Sequence, residues 1–141
     1  MESYKSLSHS RYDCKYHVVF VPKFRKKNLF GKIREYLKGM FHELARQKGC
    51  EIVTGHLALD HVHMCISIPP KYSASEVIGY LKGKSAIAVA RQFGGRKKNF
   101  AGEKLWARGY AISTVGFELD KVRDYIMHQE KLEIEQEKGR F

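Results

Sequence analysis

The sequence predicts an α+β domain with a ferredoxin-like βαββαβ antiparallel sheet, two helices on one face and an extra helix at the C-terminal side. Three observations predict it. Hydrophobic periodicity alternates between two and about 3.6 in the order strand, helix, strand, strand, helix, strand. The 141 residues fit one domain, 1–141. Hydrophobic residues make up 43%, enough for a core, and no low-complexity block interrupts them.

Residues 1–11 read as a polar lead-in. Cys14 to Pro22 (CKYHVVFVP) is β-branched and aromatic and is stopped by proline, so it reads as a strand. A basic turn, KFRKKNLFGK, follows. Apolar residues then fall at Ile33, Leu37, Met40, Phe41, Leu44 and Ala45, a helical spacing that runs to Lys48 and closes at Gly49. Cys50 to Leu59 reads as a strand interrupted near Gly55, and His61 to Pro69 as a strand of strict alternation. Ser73 and Glu76 have capping-box spacing. They open a helix to about Phe93, with Val77, Ile78, Leu81, Ile87, Val89 and Ala90 as its core face. Residues 94–104 form a glycine-rich basic loop, Tyr110 to Val115 a short strand, and 118–138 a charged helix. That last helix is placed beside the sheet face that the first two leave open.

Lys plus Arg number 26 against 15 Asp plus Glu, a net charge of +11 that points to a polyanionic partner. No apolar run approaches the ~20 residues of a membrane span, and the N-terminus has no secretory signal pattern. Three cysteines without a CxxC pair fit a reducing cytoplasm and argue against a disulfide scaffold. GYLKGKS at 79–85 is one residue short of a phosphate loop and lies inside a helical pattern, so no nucleotide cofactor is expected.

The chemistry concentrates on two elements. Alternation sends Val62, Met64, Ile66 and Ile68 to the core and His61, His63, Cys65 and Ser67 to the other face. Two imidazoles side by side favour a metal pair, although two ligands do not complete a site. On the last helix Tyr125 and Gln129 are four residues apart and share a stripe. Tyr125 packed against Val122 and Ile126, with Gln129 in solvent, is the competing structural explanation. His9, His17, His42, His56 and His128 have no assignment from pattern alone.

The segments LDHVHMCISIPPK, YHVVFVPKFRKK, YLKGKSA, LWARGYAISTVG and VRDYIMHQE, in that spacing, resemble the single-tyrosine transposases with a His-hydrophobe-His (HUH) motif. These are the small TnpA-type enzymes of bacterial and archaeal insertion sequences that move as single-stranded DNA. The resemblance covers nearly the whole chain. It implies Tyr125 as nucleophile, His61, His63 and Gln129 as metal ligands, and Mg²⁺ or Mn²⁺ as cofactor. It implies cleavage and rejoining of single-stranded ends through a 5′-phosphotyrosine and a free 3′-OH. The partners it implies are single-stranded DNA with hairpin ends and a second copy of the chain, whose histidine pair the tyrosine helix can serve.

Lys23, Arg25, Lys26 and Lys27 after the first strand, and Arg96, Lys97, Lys98 and Lys104 in the glycine-rich loop, are candidate DNA contacts. Phe24, Phe100 and Trp106 are interleaved with them, as single-strand binding favours, although a lone tryptophan is more often core. Lys82, Lys84 and Ser85 join the candidates through the family resemblance. Three alternatives remain: a related relaxase or replication initiator, a non-catalytic ferredoxin-like nucleic-acid module, and a zinc hydrolase with His56 or His17 as third ligand.

Overall fold

The computed structural model describes residues 5–6, 11–23, 29, 31–94, 105–115 and 139–141. In chain order the elements are β1 (Lys5–Ser6), β2 (Arg11–Tyr12), β3 (Lys15–Phe20), α1 (Gly31–Gln47), β4 (Glu51–Leu57), β5 (Val62–Ser67), α2 (Ala74–Val89) and β6 (Ala111–Thr114). The main sheet has the order β4-β5-β3-β6, and every neighbouring pair is antiparallel. This is the predicted split βαβ arrangement. The polar lead-in instead forms a short hairpin, β1 with β2. The helix expected over 118–138 lies outside the described residues.

Local chemistry explains the boundaries. α1 ends where Gly49 takes φ 69°, a left-handed conformation that glycine adopts without a Cβ penalty. α2 starts at the Ser73 cap: Ser73 Oγ accepts from Glu76 N, and the Glu76 carboxylate accepts from Ser73 N, both at 3.0 Å. β4 carries its irregularity between Ile52 and Thr54 rather than at Gly55, which pairs with Met64.

One face of the sheet meets both helices. Val18, Phe20, Val62, Met64 and Ile66 pack with Leu37, Phe41, Leu44, Val77, Ile78 and Leu81 in one buried cluster. Ile87, assigned to the core face of α2, is 42% exposed. The buried stripe steps from Leu81 to Ser85 to Val89 by fours, so Ile87 falls on the outer side. Arg34 is buried in α1, its Nε donating to Leu29 O at 3.0 Å.

Residues 139–141 add an unforeseen pairing along the outer edge of β4. Leu57 N donates to Gly139 O (2.7 Å), and Gly55 and Phe141 exchange N–H···O bonds of 3.1 and 3.0 Å. The Phe141 ring packs on Phe41 and on His42. It also lies over Gly55, where an added Cβ would come within 2.6 Å of the ring. Gly55→Ala should therefore cost about 1–3 kcal/mol by overpacking. The double variant Gly55→Ala/Phe141→Ala should cost less than the sum of the single costs, as urea unfolding midpoints will show; strict additivity would mean that the ring does not occupy the notch.

Candidate active site

A four-residue turn, Ala58 to His61, closed by Ala58 N donating to His61 O at 2.9 Å, sets the register of the β4–β5 hairpin. Leu57 then faces Val62, and His56 faces His63. On the other side β3 brings Val19 opposite His63 and His17 opposite Cys65. Four imidazoles gather as a result. His61 and His63 stack with centroids 5.2 Å apart and planes 20° from parallel. His56 lies 5.0 Å and His17 6.0 Å from His63. His56 and His17 had no assignment from pattern alone. The turn length was the available signal for His56, and no local signal places His17.

α1 and α2 pack on the opposite side of the sheet, yet this face is also buried. His63 is 5% exposed, Cys65 0% and Ser67 2%, so β5 is buried on both faces. Burial penalises a charged imidazole. It pushes His63 down to about 3, helped by the nearby His56, His61 and His17. Burial likewise pushes His56 down to about 4, with His61, Arg140, Arg34 and Lys38 adding to it. His17 is lowered by burial alone. His63 and His56 are thus neutral at pH 7, the form that ligates a metal.

His61 is half-exposed at the mouth of β5, and its Nδ1 lies 2.9 Å from Asp60 Oδ1. A carboxylate only accepts, so Nδ1 carries the hydrogen and Nε2 keeps its lone pair. The pair can therefore offer two ring nitrogens to a cation. Among the described residues, no group of three His, Cys, Asp or Glu is arranged to hold a metal ion. The three-histidine zinc site considered from sequence is thus not formed there by His17 or His56. Tyr125 and Gln129 lie outside the described residues.

The candidate DNA contacts separate. Lys82 donates to Ala107 O and Gly109 O, both at 2.8 Å. Ser85 is fully buried: its hydroxyl donates to Lys82 O and accepts from Trp106 Nε1 at 2.9 Å. Both groups are engaged within the chain, so their contribution here is to hold the 105–109 stretch on α2. Trp106 is core, its ring 4.8 Å from Phe20. Lys23 lies after β3 with its N–H on Leu105 O, and Lys84 is exposed on α2. Arg25, Lys26, Lys27, Arg96, Lys97, Lys98 and Lys104 lie outside the described residues.

Comparison with known proteins decides the family. The profile of the family described as "Transposase IS200 like" matches residues 10–129. This chain belongs to the IS200-like transposase family. The transposase for insertion sequence element IS200 of Salmonella typhimurium is 42% identical over 125 residues, which are 89% of this chain and 82% of that protein. The ISDra2 transposase TnpA of Deinococcus radiodurans is 32% identical over 74% of each chain. The crystal structure of a putative transposase from Deinococcus radiodurans superposes with a TM-score of 0.71, at 27% identity over 89% of this chain and 97% of that one. A REP-associated tyrosine transposase bound to a REP hairpin shares the fold, with a TM-score of 0.59 at 13% identity over 86% and 69%. The resemblance read from the motifs is thus borne out. No described helix of this IS200-like transposase is long and apolar enough to cross a membrane.

The buried imidazoles give a pH dependence. Their folded pKa values lie below the ordinary 6.5, so below that pH the unfolded chain takes up protons that the folded chain refuses. Stability is full above about pH 6.5 and should fall as pH drops towards 3, by at most about 1.4 kcal/mol per pH unit for each histidine. Urea midpoints between pH 7.5 and 4 should show a flatter decline for His56→Gln than for the unsubstituted chain; parallel curves would contradict the assignment.

Proposed function

We propose that this transposase cleaves and rejoins single-stranded ends of its element with Tyr125 as nucleophile, as one catalytic domain spanning 1–141. The observation that carries the reading is the stacked His61–His63 pair, with Asp60 orienting His61 and burial keeping His63 neutral. Such a pair is poor in stability terms unless its lone pairs have a use.

Tyr125 Oη forms a bond to phosphorus as the bond from phosphorus to the 3′ oxygen breaks. The phenol proton departs, and the 3′ oxygen leaves as a hydroxyl after taking up a proton. The product is a 5′-phosphotyrosine, and attack by a 3′-OH on that ester rejoins a strand without an external energy source. A phenol with an ordinary pKa near ~10 needs the phosphate made more electrophilic. His61 Nε2, His63 and the Gln129 amide oxygen would hold Mg²⁺ or Mn²⁺, whose charge would polarise a scissile phosphate oxygen. Two imidazoles and an amide would leave the cation's charge uncancelled, unlike a thiolate-rich zinc site. The hairpin carried by the REP-associated transposase of the same fold supports a DNA hairpin as ligand here. A second copy of the chain is the proposed partner.

Incubation with labelled single-stranded element ends tests the mechanism. The unsubstituted protein should form an SDS-resistant DNA adduct in Mg²⁺ or Mn²⁺ and none in EDTA. Tyr125→Phe and His63→Ala should lose the adduct while still binding DNA. An adduct that survives in Tyr125→Phe would move the nucleophile to another tyrosine.

Gln129→Ala separates a ligand from a bystander. Loss of one amide oxygen should shift the Mn²⁺ titration of cleavage to higher concentration with partial rescue at saturation, and stability should change by no more than about 0.5 kcal/mol. Superimposable titrations would show that the third donor lies elsewhere.

A further inference from the structure

The pairing of residues 139–141 with β4 does more than cover an edge. Arg140 stands opposite His56 of β4, and His56 stands opposite His63 of β5. Residues opposite one another on antiparallel strands send their side chains to the same face. Arg140, His56 and His63 therefore form one row across three neighbouring strands, on the face away from α1 and α2. The row runs from dry to wet: His63 is 5% exposed and His56 0%, whereas Arg140 is exposed. Burial first, then His61 and Arg140, lower the pKa of His56, so the guanidinium is close to that ring. Arg140 is two strand spacings, about 10 Å of sheet, from His63. It stands at the end of the sheet where His61 is half-exposed, because Gly139 pairs with Leu57 and Leu57 with Val62.

The backbone is fixed on both sides of Arg140. Leu57 N donates to Gly139 O, and Gly55 and Phe141 exchange two bonds. Gly139 passes so close to β4 that an added Cβ would collide with the Leu57 carbonyl. The Phe141 ring, on the opposite face, is held by Phe41 and His42 of α1. A guanidinium offers five N–H donors in a planar fork and stays charged, so it can take a phosphate oxygen besides the contacts it already makes. A phosphate drawn to His61 and His63 would meet that fork at the rim of the site. A cation already in place beside the non-bridging oxygens stabilises the transition state of an attack on phosphorus.

We propose that Arg140 is a further catalytic residue, delivered to the histidine site by the pairing of Gly139 and Phe141 with β4, and that its guanidinium holds a non-bridging oxygen of the scissile phosphate. The proposal rests on the reading of the His61–His63 face as the place of cleavage. The test is fluorescence anisotropy in EDTA with two labelled single-stranded element ends. One carries the natural phosphate at the junction of element and flanking DNA, and the other a neutral methylphosphonate there. Arg140→Gln should bind the natural strand about three- to fivefold more weakly and the methylphosphonate strand as tightly as the unsubstituted chain does. With Mg²⁺ present it should form the adduct at least about tenfold more slowly, and Arg140→Lys should recover part of that rate. An equal loss on both probes, or none on either, would overturn the contact. Gly139→Val should show the same phosphate-specific loss, and adding Arg140→Gln to it should cost nothing more; additive losses would overturn delivery by the pairing. Phe141→Ala gives the same comparison if Gly139→Val melts early, with Trp106 emission reporting an intact core. Arg140→Gln changes an exposed side chain, so its result stands whatever the pairing variants do. Absence of any adduct from the unsubstituted chain would count against the reading of the site, whereas adduct formation with a failed binding comparison would count against Arg140 alone.

Discussion

Burial of β5 on both faces is the constraint on which the rest of the molecule depends. One face does what a central strand normally does, sinking Val62, Met64 and Ile66 under two helices. The other sinks His63, Cys65 and Ser67 to nearly the same depth. Burial of an imidazole disfavours its charged form and so favours the neutral ring that can ligate a metal. The half-exposed His61 adds a second ring whose tautomer Asp60 sets. A buried strand thus presents two oriented donors at its mouth, one dry and one reachable from solvent.

Holding that strand in place takes contacts far from the histidines. Trp106 packs edge-on to Phe20 of β3, and its indole N–H is satisfied by Ser85 of α2. One helical turn earlier, Lys82 reaches over to the carbonyls of Ala107 and Gly109. Together these bonds tie α2 to the approach to β6, so the YLKGKSA and LWARGY segments act as two halves of one structural joint. A buried serine and a lysine with two carbonyl partners are costly to place unless such bonds are made.

The two layers of the fold then divide the chemistry. Imidazoles occupy the sheet face away from the helices, and the apolar cluster occupies the helical side. Pairing of Gly139–Phe141 along β4 closes one edge of the sheet and brings Arg140 opposite His56. Covering an edge in this way removes a row of unpaired backbone groups that would otherwise recruit other strands.

Periodicity alone made the order of elements legible, along with the capping box at Ser73, the alternating core face of β5 and the shared face of His61 and His63. These depend on spacings of two and about 3.6 within single elements, which a sequence displays directly. The motifs at those spacings were enough to assign the family. Partners across strands were not legible in the same way. His56 and His17 join the pair because of strand register, Phe141 finds the Gly55 notch across a long gap in sequence, and the Ser85 hydroxyl meets the Trp106 indole across 21 residues. The physical reason is that a side chain's own neighbours in sequence set its direction, whereas burial, ring stacking and depressed imidazole pKa values come from residues tens of positions away, brought together only when the sheet closes on its helices.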